Sequence, residues 1–209
     1  MDVDAVEIRV LGCLIEKQRT TPDAYPLSLN ALRLACNQAT NRDPVVAYEE
    51  REIKAALDRM SNRGWTRFAS GVSSRALKYR QLLDEALGLS EPEISLLGVL
   101  MLRGPQTVGE LKQRSERLHR FASIAEVAET LDGLTGRELV ARLERRPGQK
   151  EERWQQLLGG DAEPVAEPVA PAAPGEGADR LGAIEERLER LEGAFDELIA
   201  RLDKVPDRE

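Results

Sequence analysis

The residues in this chain best suited to chemistry are cations. Across residues 59–83 there is no acid, yet Arg59, Arg63, Arg67, Arg75, Lys78 and Arg80 are all basic, in a chain that carries 37 carboxylates. Guanidinium and ammonium groups bind phosphate by charge and by hydrogen bonds, so a run of this kind points to a nucleic-acid backbone. Just upstream, Arg51, Lys54, Ala55, Asp58, Arg59 and Asn62 fall on one side of a helix wound at about 100° per residue. Ile53, Leu57 and Met60 fall on the other side. Asn37, Gln38, Thr40, Asn41 and Arg42 form a polar run whose amide and guanidinium groups suit base edges. The same residue types also cap helices and hold turns, and Asn41-Arg42-Asp43-Pro44 reads as such a turn. The candidate DNA contacts are therefore Asn37, Asn41, Arg42, Arg51, Lys54, Arg59, Asn62, Arg67, Arg75 and Lys78.

Catalytic chemistry finds little to work with. His119 is the single histidine and reads as a surface or loop residue. Cys13 and Cys36 sit among apolar neighbours and read as small, reduced core residues. Two cysteines and one histidine make at most an incomplete zinc site, so no metal and no cofactor is expected. There is no GxxxxGK[ST] phosphate loop and no GxSxG elbow. Aromatics are 4% of the chain, which leaves no stacking platform for single strands. An enzyme is not expected.

The elements that must position the cations occur twice. Leu11-Gly12-Cys13-Leu14 matches Leu97-Gly98-Val99-Leu100, each within an apolar helical stretch. Ser28-Leu29-Asn30-Ala31-Leu32 matches Thr107-Val108-Gly109-Glu110-Leu111, each a short helix opened by a hydroxyl that can cap it. A third helix follows in each copy, over about 49–63 in the first and with Ile124, Val127, Leu131 and Leu134 as core stripe in the second. Two strands joined by a turn close each copy, at 64–68 and 75–80, then at 138–143 and 152–157. Helix, helix, helix and hairpin is the order of a winged helix, with a helix-turn-helix inside it. The alternative is a single all-helical domain with an incidental hairpin. The fold class is mainly α with small β-hairpins (α+β): winged-helix domains at 1–84 and 85–158, a Pro/Ala-rich linker at 159–178 and a coiled-coil helix at 179–205.

Four prolines, at 164, 168, 171 and 174, exclude a helix from the linker. Beyond it, Leu181, Ile184, Leu188, Leu191, Phe195, Leu198, Leu202 and Val205 alternate at spacings of 3 and 4, an a/d seam. Arg187 at a g position and Glu192 at the next e are complementary across a parallel dimer. The expected role is self-association through Leu181, Ile184, Leu188, Leu191, Phe195, Leu198 and Leu202; the alternative is one amphipathic helix docked on the body.

The stretch LGCLIEKQRTTPDAYPLSLNALRLACNQATNRDPV, with its CNQ, TNR and PV elements, resembles the YceH family of uncharacterised bacterial proteins. LLGVLMLRGPQTVGELKQRS and the terminal heptads are similar to that family too. The resemblance spans nearly the whole chain and implies two tandem winged-helix domains.

Charge separates the parts. Residues 159–209 hold 14 acids and 6 bases, so this segment is -8, while residues 1–158 are +1. The pI near 5.1 therefore reflects the tail and does not exclude a local basic face. The second copy differs: its third helix turns Ala125, Glu126, Glu129, Asp132, Gly133 and Gly136 outward, which repels phosphate. The N-terminus lacks a signal-peptide layout and no run is long enough to span a membrane, so a cytoplasmic address without membrane contact is expected. The expected function is that of a dimeric winged-helix transcriptional regulator that binds double-stranded DNA through its first domain. The alternative is a tandem winged-helix module that binds another protein and not DNA.

The heptad seam makes the first testable statement. Replacing Leu188 and Leu198 by Glu puts charge at an a and a d position and weakens self-association. Sedimentation that returns one mass for wild type and variant excludes the seam as the contact.

Overall fold

A computed structural model of the chain describes residues 3–69, 77–145 and 151–159. They belong to one compact unit, Met1–Ala162; the second unit, Glu163–Glu209, lies outside the described residues, and with it the linker and the heptad seam.

Helix α1 spans Ala5–Thr20. Asp4 opens it: its side chain accepts the Glu7 amide at 2.8 Å, and the Glu7 carboxylate accepts the Asp4 amide at 2.9 Å. A single 3-10 turn at Pro22–Ala24 leads to strand β1 (Leu27–Ser28) and helix α2 (Leu29–Cys36), which Ser28 caps through the Ala31 amide. Helix α3 spans Glu50–Asn62, and the hairpin follows as β2 (Thr66–Ala69) and β3 (Lys78–Gln81). Short helix α4 (Leu83–Leu87) ends at Gly88, whose φ of 59° suits glycine.

The second copy repeats this order with α5 (Glu91–Arg103), α6 (Val108–Ser115), α7 (Ile124–Gly136), β4 (Val140–Leu143) and β5 (Arg153–Gln156). Thr107 caps α6 as Ser28 caps α2. The fold is mainly helical with small antiparallel sheets. One difference from the sequence expectation is an added strand before the second helix. β1 pairs with β3, giving the order β1-β3-β2, and a single bridge between Gln106 and Trp154 stands at the matching place beside β5. Two residues carry no alternation pattern, so only their distant partner reveals such a strand.

The core is shared by both copies. Residues 7–15 of α1 and 94–102 of α5 are buried on every side, as central helices are. A Cβ built on Gly12 lies 2.9 Å from Leu102 Cγ and 3.0 Å from Met101 Cβ; one on Gly98 lies 2.9 Å from Ile15 Cγ2. Residue 12 thus faces 101 and 102 while 15 faces 98, so the two helices cross antiparallel, each presenting its glycine. Among the described residues no helix is long and apolar enough to cross a membrane.

The crossing predicts opposite outcomes for glycine replacements. Gly12→Val and Gly98→Val force side chains into occupied space and lower stability by about 2 kcal/mol or more. Gly133 lies in α7 with nothing within 4 Å of a built Cβ, so Gly133→Ala raises stability by about 0.5–1 kcal/mol. Urea midpoints measure both; a neutral Gly12→Val means the helices separate without cost.

Candidate nucleic-acid interface

Helix α3 buries Ile53, Ala56, Leu57 and Met60 and exposes Arg51, Lys54, Ala55, Asp58, Arg59 and Asn62, the division the spacing predicts. Its cations are held within the molecule. Arg51 meets Glu49 at 2.9 Å and Lys54 meets Asp58 at 3.0 Å, both pairs well exposed. The Asp58 carboxylate holds the Lys54 ammonium above its ordinary pKa. Arg59 reaches Asp4, and at 3.3 Å also Glu7. Arg63 binds the same Glu7 oxygen at 2.7 Å and lies over the Trp65 ring. Glu7 is 1% exposed, and a buried carboxylate needs such neighbours. The start of α3 adds Glu49, Glu50 and Glu52, all exposed, and their charge repels phosphate.

The hairpin is different. In its register Arg67 stands opposite Arg80, and Ala69 opposite Lys78. Alternation therefore puts Arg67, Lys78 and Arg80 on one face and Phe68 and Tyr79 on the other. The two rings are 5.3 Å apart. Like charges directly opposite destabilise a strand pair, so this face gains from a bound anion. Arg80 is tethered to Glu85 at 2.9 Å, while Arg67 is exposed and meets no acid among the described residues. Arg75 and the turn at 70–74 lie outside the described residues.

The polar run is structural. Arg42 has a fully enclosed side chain, so it leaves the set of surface contacts. Its guanidinium donates to the carbonyls of Ala35 (3.1 Å) and Asn41 (2.8 Å), to Gln38 Oε1 (2.9 Å) and to both Glu16 oxygens (3.2 and 2.6 Å). Asn37 is likewise committed: its amide donates to the Tyr48 carbonyl at 2.8 Å and accepts the Tyr48 amide at 2.9 Å. Asn41 has a φ of 61°, a turn conformation, and accepts from Arg103. The sequence reading missed Arg9, 4% exposed, which donates to the carbonyls of Cys36 (3.1 Å) and Pro44 (2.6 Å). Arg9 and Arg42 thus satisfy carbonyls at the end of α2 that the helix leaves open. A charge set inside an apolar helical run was the available signal.

Cys13 and Cys36 are buried and unbridged. Burial alone would raise the Cys13 pKa, but the neighbouring Cys36 thiol and the Arg42 charge hold it below its ordinary value, while the Cys13 thiol and burial push Cys36 up. In the second copy, Glu126, Glu129 and Asp132 lie along the outward side of α7, and Arg142 and Arg145 share Glu152 at 3.1 and 3.8 Å.

The model of a family described as "Protein of unknown function, DUF480" matches residues 3–149. A UPF0502 protein of Solibacter usitatus (strain Ellin6076) is 48% identical over 198 residues, covering 93% of this chain and 95% of that one. A UPF0502 protein of Klebsiella pneumoniae (strain 342) is 45% identical, covering 96% and 94%. The UPF0502 protein YceH of Salmonella paratyphi C (strain RKS4594) is 42% identical, covering 98% and 96%.

The Arg42–Glu16 pair predicts a pH dependence. Burial would raise the Glu16 pKa, but the hydrogen bond and charge of Arg42 outweigh it and hold the carboxyl below its ordinary 4.5. Its contribution to stability is complete above that value and is lost as pH falls through the lower folded value. Glu16→Gln strands a buried guanidinium and costs about 3 kcal/mol at neutral pH. The gap from wild type narrows as pH falls below 4.5 and through the lower folded value, where Glu16 itself protonates. Denaturation midpoints across pH 2–7 check this; a constant gap excludes it.

Proposed function

The chain belongs to the DUF480, or UPF0502, family, and from that premise we propose that it is a dimeric, cytoplasmic protein that binds double-stranded DNA in a regulatory role. Each repeat is read as a winged helix, since helix, short strand (in the second copy a single bridge), helix, helix and hairpin is that order. The heptad seam holds two copies together. The observation that carries the reading is the cationic hairpin face, with Arg67 opposite Arg80 and Lys78 beside them. A narrow hairpin bearing cations on one face meets phosphates along a groove. The third helix contributes less than its sequence implies, because Arg59 is tied to Asp4 and Glu7 and its first turn is acidic. The contact is therefore mainly with the backbone, which positions a protein without reading bases.

A second reading, a module that docks on another protein, draws on the acids along α7 and at the start of α3. Such surfaces suit a basic protein partner better than a duplex.

Salt titration of duplex binding separates the two. Three or four phosphate contacts per chain give a log–log slope of about 3 to 4 and a loss of roughly 40- to 150-fold between 50 and 200 mM salt. Arg67→Ala and Lys78→Ala each remove about one unit of slope and leave sequence preference intact. Arg51→Ala changes the slope by less. No duplex binding at 50 mM salt, or unchanged slopes in both hairpin variants, excludes the DNA reading.

A further inference from the structure

A cavity of about 420 Å³ opens beside the crossing of the two central helices, away from the hairpin. Its walls come from both repeats: Glu16 and Thr20 of α1, Asn41 before α3, Arg103 of α5, Gln113 and Arg114 of α6, and Arg117 just beyond. Val99, Leu102 and Leu118 supply its apolar surface. Three guanidiniums, one from α5 and two from α6 and the turn after it, thus line one open pocket. The single carboxylate in the lining, Glu16, has both oxygens engaged by Arg42 at 2.6 and 3.2 Å. It therefore offers the cavity little negative charge. Arg103 is held by Asn41, and Arg114 meets Glu110 at 3.4 Å.

We infer that this cavity is a binding site for a small organic anion, one whose phosphate or carboxylate group is taken by Arg103, Arg114 and Arg117 while its remaining body lies on Val99, Leu102 and Leu118. The volume matches sites for small molecules and exceeds what a bare inorganic ion fills. Guanidinium forks match both oxyanions, because each offers parallel lone pairs at the right spacing. Burial, followed by the nearby Arg114 charge, pushes the Arg103 pKa down, so the cations repel one another until an anion enters. Because α1 and α5 both line the cavity, a ligand there fastens the two repeats to each other. The site uses none of the hairpin cations and stands whether or not the protein binds DNA.

Isothermal titration of the full chain with phenyl phosphate and with benzoate, each an oxyanion on an apolar ring, tests this against sodium chloride at matched ionic strength. Saturable binding of either anion is expected, and which one binds more tightly tells phosphate from carboxylate. Arg117→Gln and Arg114→Gln weaken it about 10- to 100-fold, the usual loss of one charge-assisted hydrogen bond. Arg120→Gln, a control whose side chain is 84% exposed and outside the cavity lining, leaves it unchanged. Circular dichroism confirms that the variants fold. Heats no larger than those with chloride, equal affinity in the cavity variants, or an equal loss in the control overturn the proposal. Displacement of the bound anion by duplex DNA also overturns it, since the cations then serve a nucleic acid.

Discussion

The antiparallel crossing of α1 and α5 sets the terms for everything around it. Gly12 and Gly98 remove the Cβ at the two points where the helices approach most closely, and the gap is filled by Leu102, Met101 and Ile15 of the opposite helix. Helices that meet this closely become central, and their middle residues, 7–15 and 94–102, face protein on every side. Over residues 7–15 of α1 that includes Glu7 and Arg9, which a surface helix would turn to water. Buried charges are costly unless paired, so other elements supply partners. Glu7 takes Arg59 and Arg63 from the third helix region, and Arg9 takes carbonyls at the end of α2 and in the segment after it. Glu16, on the last half-buried turns, takes Arg42. The same constraint that builds the core therefore withdraws cations from the surface.

This withdrawal explains why the basic face does not lie where helical winding alone puts it. Arg42 and Arg59 count as cations in a sequence, but one is enclosed and the other is anchored on the buried start of α1. Cations with room to bind something stand on the first hairpin, where no central helix requires them, and around the cavity. A net charge of +1 over residues 1–158 averages these populations and describes none of them.

Much of the frame was legible because it rests on local rules. Capping residues opened α2 and α6 where hydroxyls stood, and the buried stripe of α3 followed its 4, 3 spacing. The repeated Leu-Gly-x-Leu pattern located the two central helices, though not that they touch. What escaped notice depends on partners distant in sequence. β1 exists through its pairing with β3, and Asn37 matters through the Tyr48 backbone, 11 residues on. Whether a polar side chain reads DNA or holds a turn is decided by burial, and Asn37 and Arg42 carry the same letters in either role. The cavity was invisible for the same reason, since its three arginines come together only when α6 packs on α5.

The two repeats share a frame but not a surface, and the difference is a matter of a few carboxylates. On the first hairpin Arg67 faces Arg80, with Glu85 as the single acid paired to that face among the described residues. On the second, Glu152 takes Arg142 and Arg145, and Arg153 turns toward Glu110 at 3.4 Å and the Pro105 carbonyl at 2.9 Å. Those internal pairs use up the charge that the first hairpin leaves open. Helix α7 also lines its outward side with Glu126, Glu129 and Asp132. Among the described residues, the first hairpin therefore carries open positive charge and the second pairs its arginines with acids. Since the core treats both alike, the contrast cannot come from folding requirements. It lies in surface residues free to diverge, which is where a binding role is written.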